Sequence, residues 1–111
     1  MAEISFEDFS KVELRVGEIV LAEKPEWSRK QIRLEVDFGD EGRKQVFTGL
    51  SPWYKPEDLV GKQAVFCTNL PPKKIENFVS EAMILAVETE KNDGFTILIP
   101  QNKAKNGAKI Y

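Results

Sequence analysis

The 111-residue sequence contains no histidine and only one cysteine, Cys67. The lack of histidine excludes Ser-His and Cys-His nucleophile pairs, and with them the usual zinc ligand sets. Glycine-rich GxGxxG and Walker phosphate loops are absent as well. The 18 carboxylates are scattered among lysines, as on most solvated surfaces. We therefore expect a protein that is not an enzyme and that needs neither a metal nor a cofactor.

Long apolar runs are also missing from the sequence. None approaches the roughly 18 residues that a membrane-spanning helix requires. Residues 1–8 are acidic and lack the basic and then apolar order of a signal peptide. Cys67 has no internal partner for a disulfide, which is typical of proteins in the reducing cytoplasm. We expect a cytoplasmic protein with no membrane partner, folded as a single domain over residues 1–111.

The basic side chains are outnumbered overall but unevenly distributed. The formal net charge is −2. Residues 24–74 nevertheless carry ten basic and seven acidic side chains, whereas residues 1–23 carry two basic and six acidic ones. The middle of the chain therefore has a weak basic excess, and such a local patch matters more for nucleic-acid binding than the overall charge does.

The apolar pattern predicts strands along most of the chain. Alternation begins at Val12, and its phase shifts by one residue after Gly17, which predicts a β-bulge in one long strand. Further strands are predicted at 32–38, 45–48, 64–68, 83–87 and 95–99, and short helices near Ser5–Asp8 and at 56–61. Three strands, a short helix and two more strands form the order of the oligonucleotide/oligosaccharide-binding (OB) fold. We expect an all-β, five-stranded Greek-key barrel with short helices and extra terminal segments.

Six segments, in order, resemble a known family. They are Asp8-Phe9-x-Lys11-Val12-x-Leu14-Arg15-Val16-Gly17, Val36-Asp37-x-Gly39, Gly49-Leu50, Tyr54-Lys55-Pro56-Glu57-Asp58-Leu59-Val60-Gly61-Lys62, Asn69-Leu70-Pro71-Pro72-Lys73-Lys74 and Ser80-x-Ala82-Met83-Ile84-Leu85-Ala86. The chain resembles the tRNA-binding domain found at the C-terminus of many methionyl-tRNA synthetases and as free-standing dimeric proteins. The resemblance implies a barrel that homodimerises through its termini and binds the folded shape of tRNA. It also makes an aminoacyl-tRNA synthetase a candidate partner.

The resemblance and the charge pattern together give a set of candidate nucleic-acid-binding residues. The family motifs imply Asn69, Lys73, Lys74, Ser80 and Met83. Each has a structural alternative, since Asn69 also closes turns, Ser80 also caps loops and Met83 is a common core residue. Strand alternation adds Arg33, which is expected to face outwards, and the preceding loop adds Lys30.

Two segments depart from the family pattern. Lys24-Pro25-Glu26-Trp27-Ser28-Arg29-Lys30 replaces the usual His-Pro-Asn-Ala-Asp-Lys, and Ala82 stands where the family has glycine. Pro-Pro-Lys-Lys-Ile and Phe-x-Ser-Glu also resemble a sister group of export-associated chaperones, so a peptide-binding barrel is the alternative function. Trp27 is expected either to stack on a base or to plug one end of the barrel. Trp53 and Tyr54 are expected to pack the connecting helix onto the barrel.

Overall fold

The computed structural model describes residues 2–111, which form nine strands and two single-turn helices. The elements are α1 (Phe6–Phe9), β1 (Leu14–Glu23), β2 (Ile32–Asp37), a 3-10 turn (Gly39–Glu41), β3 (Arg43–Thr48), α2 (Pro56–Leu59), β4 (Gln63–Cys67), β5 (Lys73–Ile75), β6 (Phe78–Ser80), β7 (Met83–Ile84), β8 (Ala86–Glu88) and β9 (Phe95–Ile97). Neither helix in this part of the chain is long and apolar enough to cross a membrane.

The strands build a nearly closed antiparallel barrel around β1. The main sheet has the order β3-β2-β1-β4-β7, and β5–β6 and β8–β9 form two separate hairpins. The first half of β1 pairs with β4 and the second half with β2. One long strand therefore takes part in both sides of the barrel, as the OB fold requires. The expected all-β architecture is confirmed.

Strict alternation in β2 sets the core. Ile32, Leu34 and Val36 are fully buried, while the intervening Arg33 and Glu35 lie on the outer face. The buried cluster continues with Ile19, Phe38, Val46, Leu59 and Phe66 from the neighbouring elements. Because successive side chains of a strand point to opposite faces, this pattern fixes the register of the sheet.

The predicted bulge in β1 is present, but it does not lie at Gly17. Pairing between β1 and β4 runs through Gly17 without interruption, and the register shift in the β1–β2 pair falls between Ile19 and Leu21. A Cβ atom on Gly17 would lie 2.5 Å from Cγ1 of Val36 and 2.7 Å from Cε1 of Phe38. The glycine therefore permits close packing inside the barrel, and the extra residue of the strand is accommodated at Val20.

Two segments differ from the predicted strands because their pairing depends on a turn or on a partner strand that the apolar pattern does not reveal. The predicted strand 83–87 is divided: β7 pairs with β4, whereas β8 pairs with β9. Lys73 and Lys74, expected in a loop, lie on β5 of a hairpin that turns at Glu76, whose φ is 54°. This hairpin positions most of the residues described next.

The C-terminal tail completes the sheet beside the first residues of β1. The Val16 amide donates to the carbonyl of Ala108 at 2.9 Å, and the Ile110 amide donates to that of Leu14 at 2.9 Å. Arg15 fastens this pairing, since its guanidinium donates to the carbonyl of Gly107 at 2.8 Å and to Glu13. The hydrogen bond to Glu13 raises the pKa of Arg15. The tail thus covers an edge of β1 that β2 leaves open.

Tyr54 and Trp53 anchor the segment before α2. The Tyr54 hydroxyl accepts a hydrogen bond from the Ile97 amide at 3.1 Å, and its ring packs against the core. Trp53 meets Phe95 edge to face, with ring centroids 5.3 Å apart, and leaves no space for a side chain at Gly94. Both aromatic residues therefore hold the connecting segment against the β8–β9 hairpin, as their position in the sequence predicts.

Candidate nucleic-acid interface

A groove of about 440 Å³ runs beside the β5–β6 hairpin, and we call it the hairpin groove. Its lining comes from the end of β3, the loop before β5, the hairpin itself and the start of β7: Gln31, Phe47, Gly49, Leu70, Pro71, Lys73, Ile75, Ser80, Glu81, Ala82 and Met83. Three of the predicted site residues, Lys73, Ser80 and Met83, are brought together here. The others lie elsewhere.

The hairpin register separates the two adjacent lysines. Lys73 pairs with Ser80 and Lys74 with Val79, so each pair shares one face of the hairpin. Lys73 and Ser80 both line the hairpin groove, whereas Lys74 and Val79 do not. Neither lysine forms a salt bridge with any residue from 2 to 111. Lys73 therefore places a positive charge without an ion-pair partner in a groove that also contains the carboxylate of Glu81, and Lys74 presents its charge on the opposite face.

Ser80 and Ala82 form the inner wall of the groove. The Ser80 hydroxyl accepts a hydrogen bond from the Phe47 amide at 3.0 Å and donates to the carbonyl of Ala82 at 3.2 Å. The hydroxyl thus ties the hairpin to β3. Ala82 is buried and belongs to the core cluster, so its methyl group is accommodated by packing.

Met83 lies at the mouth of the hairpin groove. It is 47% exposed and therefore is not a core residue. With Leu70 and Pro71 it gives the groove an apolar rim opposite Lys73. A thioether at such a rim adapts to flat or irregular apolar surfaces because it is unbranched and polarisable.

Asn69 is engaged with the N-terminal segment. Its side-chain oxygen accepts a hydrogen bond from the Glu13 amide at 2.9 Å, and its side-chain nitrogen donates to the carbonyl of Lys11 at 2.6 Å. Both polar atoms are therefore used to hold the chain before β1 against the end of β4. Asn69 does not line the hairpin groove.

Arg33 lines a second depression on the other side of Phe47. Its guanidinium donates to Glu23 at 2.9 Å and to the side-chain oxygen of Gln45 at 2.8 Å. Gln45 in turn donates to the carbonyl of Val79 and so links Arg33 to the hairpin. Lys30 is exposed in the preceding loop and lines neither depression.

Three aromatic rings border this second depression, and we call them the aromatic shelf: Trp27, Phe47 and Phe78. The rings of Trp27 and Phe78 are nearly parallel, with centroids 5.9 Å apart and an angle of 15° between their planes. Phe47 lies beneath, 5.7 Å from each. Trp27 therefore lies on the side of the barrel next to the hairpin.

Gln31 is a groove residue that the sequence analysis did not select. Its side-chain oxygen is buried without a hydrogen-bond partner among the described residues. Buried polar atoms are rarely left unsatisfied, but this oxygen is covered and does not itself face a ligand in the hairpin groove. Its place immediately before β2, in outward phase with Arg33, was the available sequence signal.

The tRNA-binding domain family, described as a putative tRNA binding domain, matches residues 14–109. The chain belongs to this family. The match extends from the first residue of β1 to the tail that pairs with it, so the tail is part of the tRNA-binding domain rather than an addition to it.

The similar proteins include both synthetases and chaperones. The chain is 41% identical over 109 residues to methionine–tRNA ligase 1 of Sorangium cellulosum. The aligned region spans 98% of this chain but only 15% of the length of that ligase. Among solved structures, chaperone CsaA from Bacillus anthracis has 40% identity and a TM-score of 0.87, covering 99% of this chain and 100% of that one. A MetRS-related protein from Pyrococcus horikoshii has 33% identity and a TM-score of 0.90, with both chains fully covered.

Proposed function

We propose that this chain is a non-catalytic, cytoplasmic tRNA-binding module in which Lys73 contacts the RNA backbone from the hairpin groove. The observation that carries the proposal is the groove itself: it joins an unpaired lysine to a half-exposed methionine and an apolar wall in a member of the tRNA-binding domain family. Residues 1–111 act as one binding unit in this proposal.

Affinity in this proposal comes from a few phosphate contacts and from shape. Each phosphate that a lysine or arginine neutralises releases condensed counterions, which makes binding weaken as salt rises. The net charge of −2 leaves little general attraction for RNA. The charge of Lys73 in the groove, and of Lys30 outside it, therefore has to be combined with the fit of the groove.

The proposed active form is a homodimer. An apolar patch joins the two termini: Phe6 is 82% exposed and Tyr111 99% exposed, and both border a depression with Phe9, Val12 and Ile110. Exposed apolar patches of this kind are commonly interaction surfaces. A two-fold dimer through this patch would carry two hairpin grooves.

A tRNA titration over a salt series tests the main proposal. We expect tRNA to bind more tightly than an unstructured RNA or a single-stranded DNA of equal length, with an affinity that falls steeply as salt rises. Equal and weak binding of all three at low salt would contradict specific tRNA recognition. Light scattering on the same samples reports the oligomeric state.

The second candidate function is peptide binding by the same groove. It is supported by the apolar side chains of Leu70, Ile75 and Met83 in the lining and by the similarity to chaperone CsaA. Burial of apolar area depends little on counterion release, so peptide binding should persist at high salt where tRNA binding is lost. Docking onto a synthetase is a further possibility that co-purification with a methionyl-tRNA synthetase lacking this domain would test.

A further inference from the structure

The aromatic shelf is an exposed apolar surface with a specific geometry. Trp27 and Phe78 are each 39% exposed, and they rest on Phe47, which is buried. Trp27 and Phe78 stack on each other and are held in place by Phe47, so a ligand would meet the outer face of a ring. A residue that only plugs the barrel would be covered, and Trp27 is not.

The charges around the shelf favour an anionic polymer. Residues 24–30 carry three cations, Lys24, Arg29 and Lys30, against the single carboxylate of Glu26. The depression itself is lined by Arg33, which pairs with Glu23 at 2.9 Å, and by the carboxylate of Glu26, whereas the three loop cations lie around it and do not line it. The loop and the lining together hold four cations, Lys24, Arg29, Lys30 and Arg33, against two carboxylates, Glu23 and Glu26. This balance around the depression favours a phosphate backbone over a lysine- or arginine-rich peptide.

We propose that the aromatic shelf binds an unpaired base of the RNA, with Trp27 as the stacking residue. Aromatic rings flanked by cations form the usual binding surface for single-stranded segments, since every base has a flat π face. Phe47 lines both the second depression and the hairpin groove, so the two adjoin and one RNA strand could contact both. This inference rests on the proposed tRNA binding. It adds that the bound RNA has an unpaired segment, which contacts the aromatic shelf, in addition to the folded shape that the protein recognises.

Trp53 provides a matched control for Trp27. It is 44% exposed and also contacts a phenylalanine, but it lies against the β8–β9 hairpin and lines neither depression. In the Trp53→Phe protein, Trp27 is the only source of tryptophan fluorescence. This protein is titrated with tRNA, with an unstructured RNA of about ten nucleotides, with a fully paired RNA duplex, and with an apolar peptide.

The expected result is that tRNA and the unstructured RNA quench Trp27 and the duplex does not. When Trp27→Ala is added to the Trp53→Phe protein, the binding of tRNA and of the unstructured RNA should weaken by about fivefold or more, which is the range for loss of one stacked base. Trp27→Phe should give an intermediate loss while keeping the contact with Phe47, so the test remains decisive if the alanine variant does not fold.

Three results would overturn the inference, and they are distinguishable. If tRNA binds with unchanged affinity to the Trp27 variants and causes no quenching, the shelf is not used and the proposed tRNA function stands. If tRNA does not bind the Trp53→Phe protein or the unaltered chain, the proposed function itself fails. If the peptide quenches Trp27 and the RNAs do not, the shelf serves a protein partner.

Discussion

Replacement of one of the two adjacent lysines tests where the RNA backbone lies. The hairpin register places Lys73 in the hairpin groove and Lys74 on the opposite face, although the two are neighbours in the sequence. We expect Lys73→Ala to weaken tRNA binding and Lys74→Ala to change it little. The second variant is an ideal control because it removes the same charge one residue away.

The magnitude follows from the exposure of Lys73. An ion pair made by an exposed lysine is screened by water, and such pairs contribute up to about 1 kcal/mol. Loss of one phosphate contact should therefore raise Kd about fivefold. The same loss should reduce the slope of log K against log salt by about 0.7 to 0.9, since one fewer phosphate is neutralised.

Filter binding at four or more salt concentrations measures both quantities, and thermal unfolding checks that the variants are folded. Both lysines are exposed and form no salt bridge with residues 2–111, so the stability should change by less than about 0.5 kcal/mol. Equal effects of the two replacements, or a larger effect of Lys74→Ala, would show that the backbone does not lie in the hairpin groove.

Three further predictions concern stability and assembly. Asn69→Ala removes two hydrogen bonds to residues 11–13 and should lower the free energy of unfolding by about 1 to 3 kcal/mol in urea, while tRNA affinity per folded molecule is retained. Gly17→Ala places a methyl group 2.5 Å from Val36 and should cost about 1 to 3 kcal/mol in the same assay; an unchanged midpoint would refute the packing argument. Phe6→Asp should shift light scattering towards the monomer, because it puts a charge into the apolar patch of the termini; a persistent dimer would place the interface elsewhere.

The regular part of the barrel could be predicted because local patterns determine it. Ile32, Leu34 and Val36 alternate with polar residues, so only one register of β2 buries all three side chains. The structure has this register. The capped turn at Ser5 is equally local, since its hydroxyl accepts from the Asp8 amide at 3.0 Å. The positions of Tyr54 and Trp53 beside the barrel were also predictable, because aromatic residues next to prolines in a connecting segment have an apolar face to bury.

The candidate site was only partly predictable, because its residues are selected by pairing between distant segments. Sequence motifs suggested Lys73, Ser80 and Met83, and the structure brings these three into one groove. The motifs could not separate Lys73 from Lys74, since that depends on the register of a hairpin only three residues long on each side. They also gave no sign that Asn69 bonds to residues 11–13, more than fifty positions earlier.

The sequence by itself determined the class of fold, the core alternation and the absence of histidine-based chemistry, since these follow from composition and short-range periodicity. Only the tertiary structure decided which face each short strand presents. Packing of Phe47 beneath Trp27 and Phe78 built a shelf from three segments, and the β5–β6 register assigned one lysine to the groove. A strand of two or three residues has too little local preference to fix its own register. The turn at Glu76 sets the register of β5–β6, and contacts between distant segments bring Phe47 beneath Trp27 and Phe78.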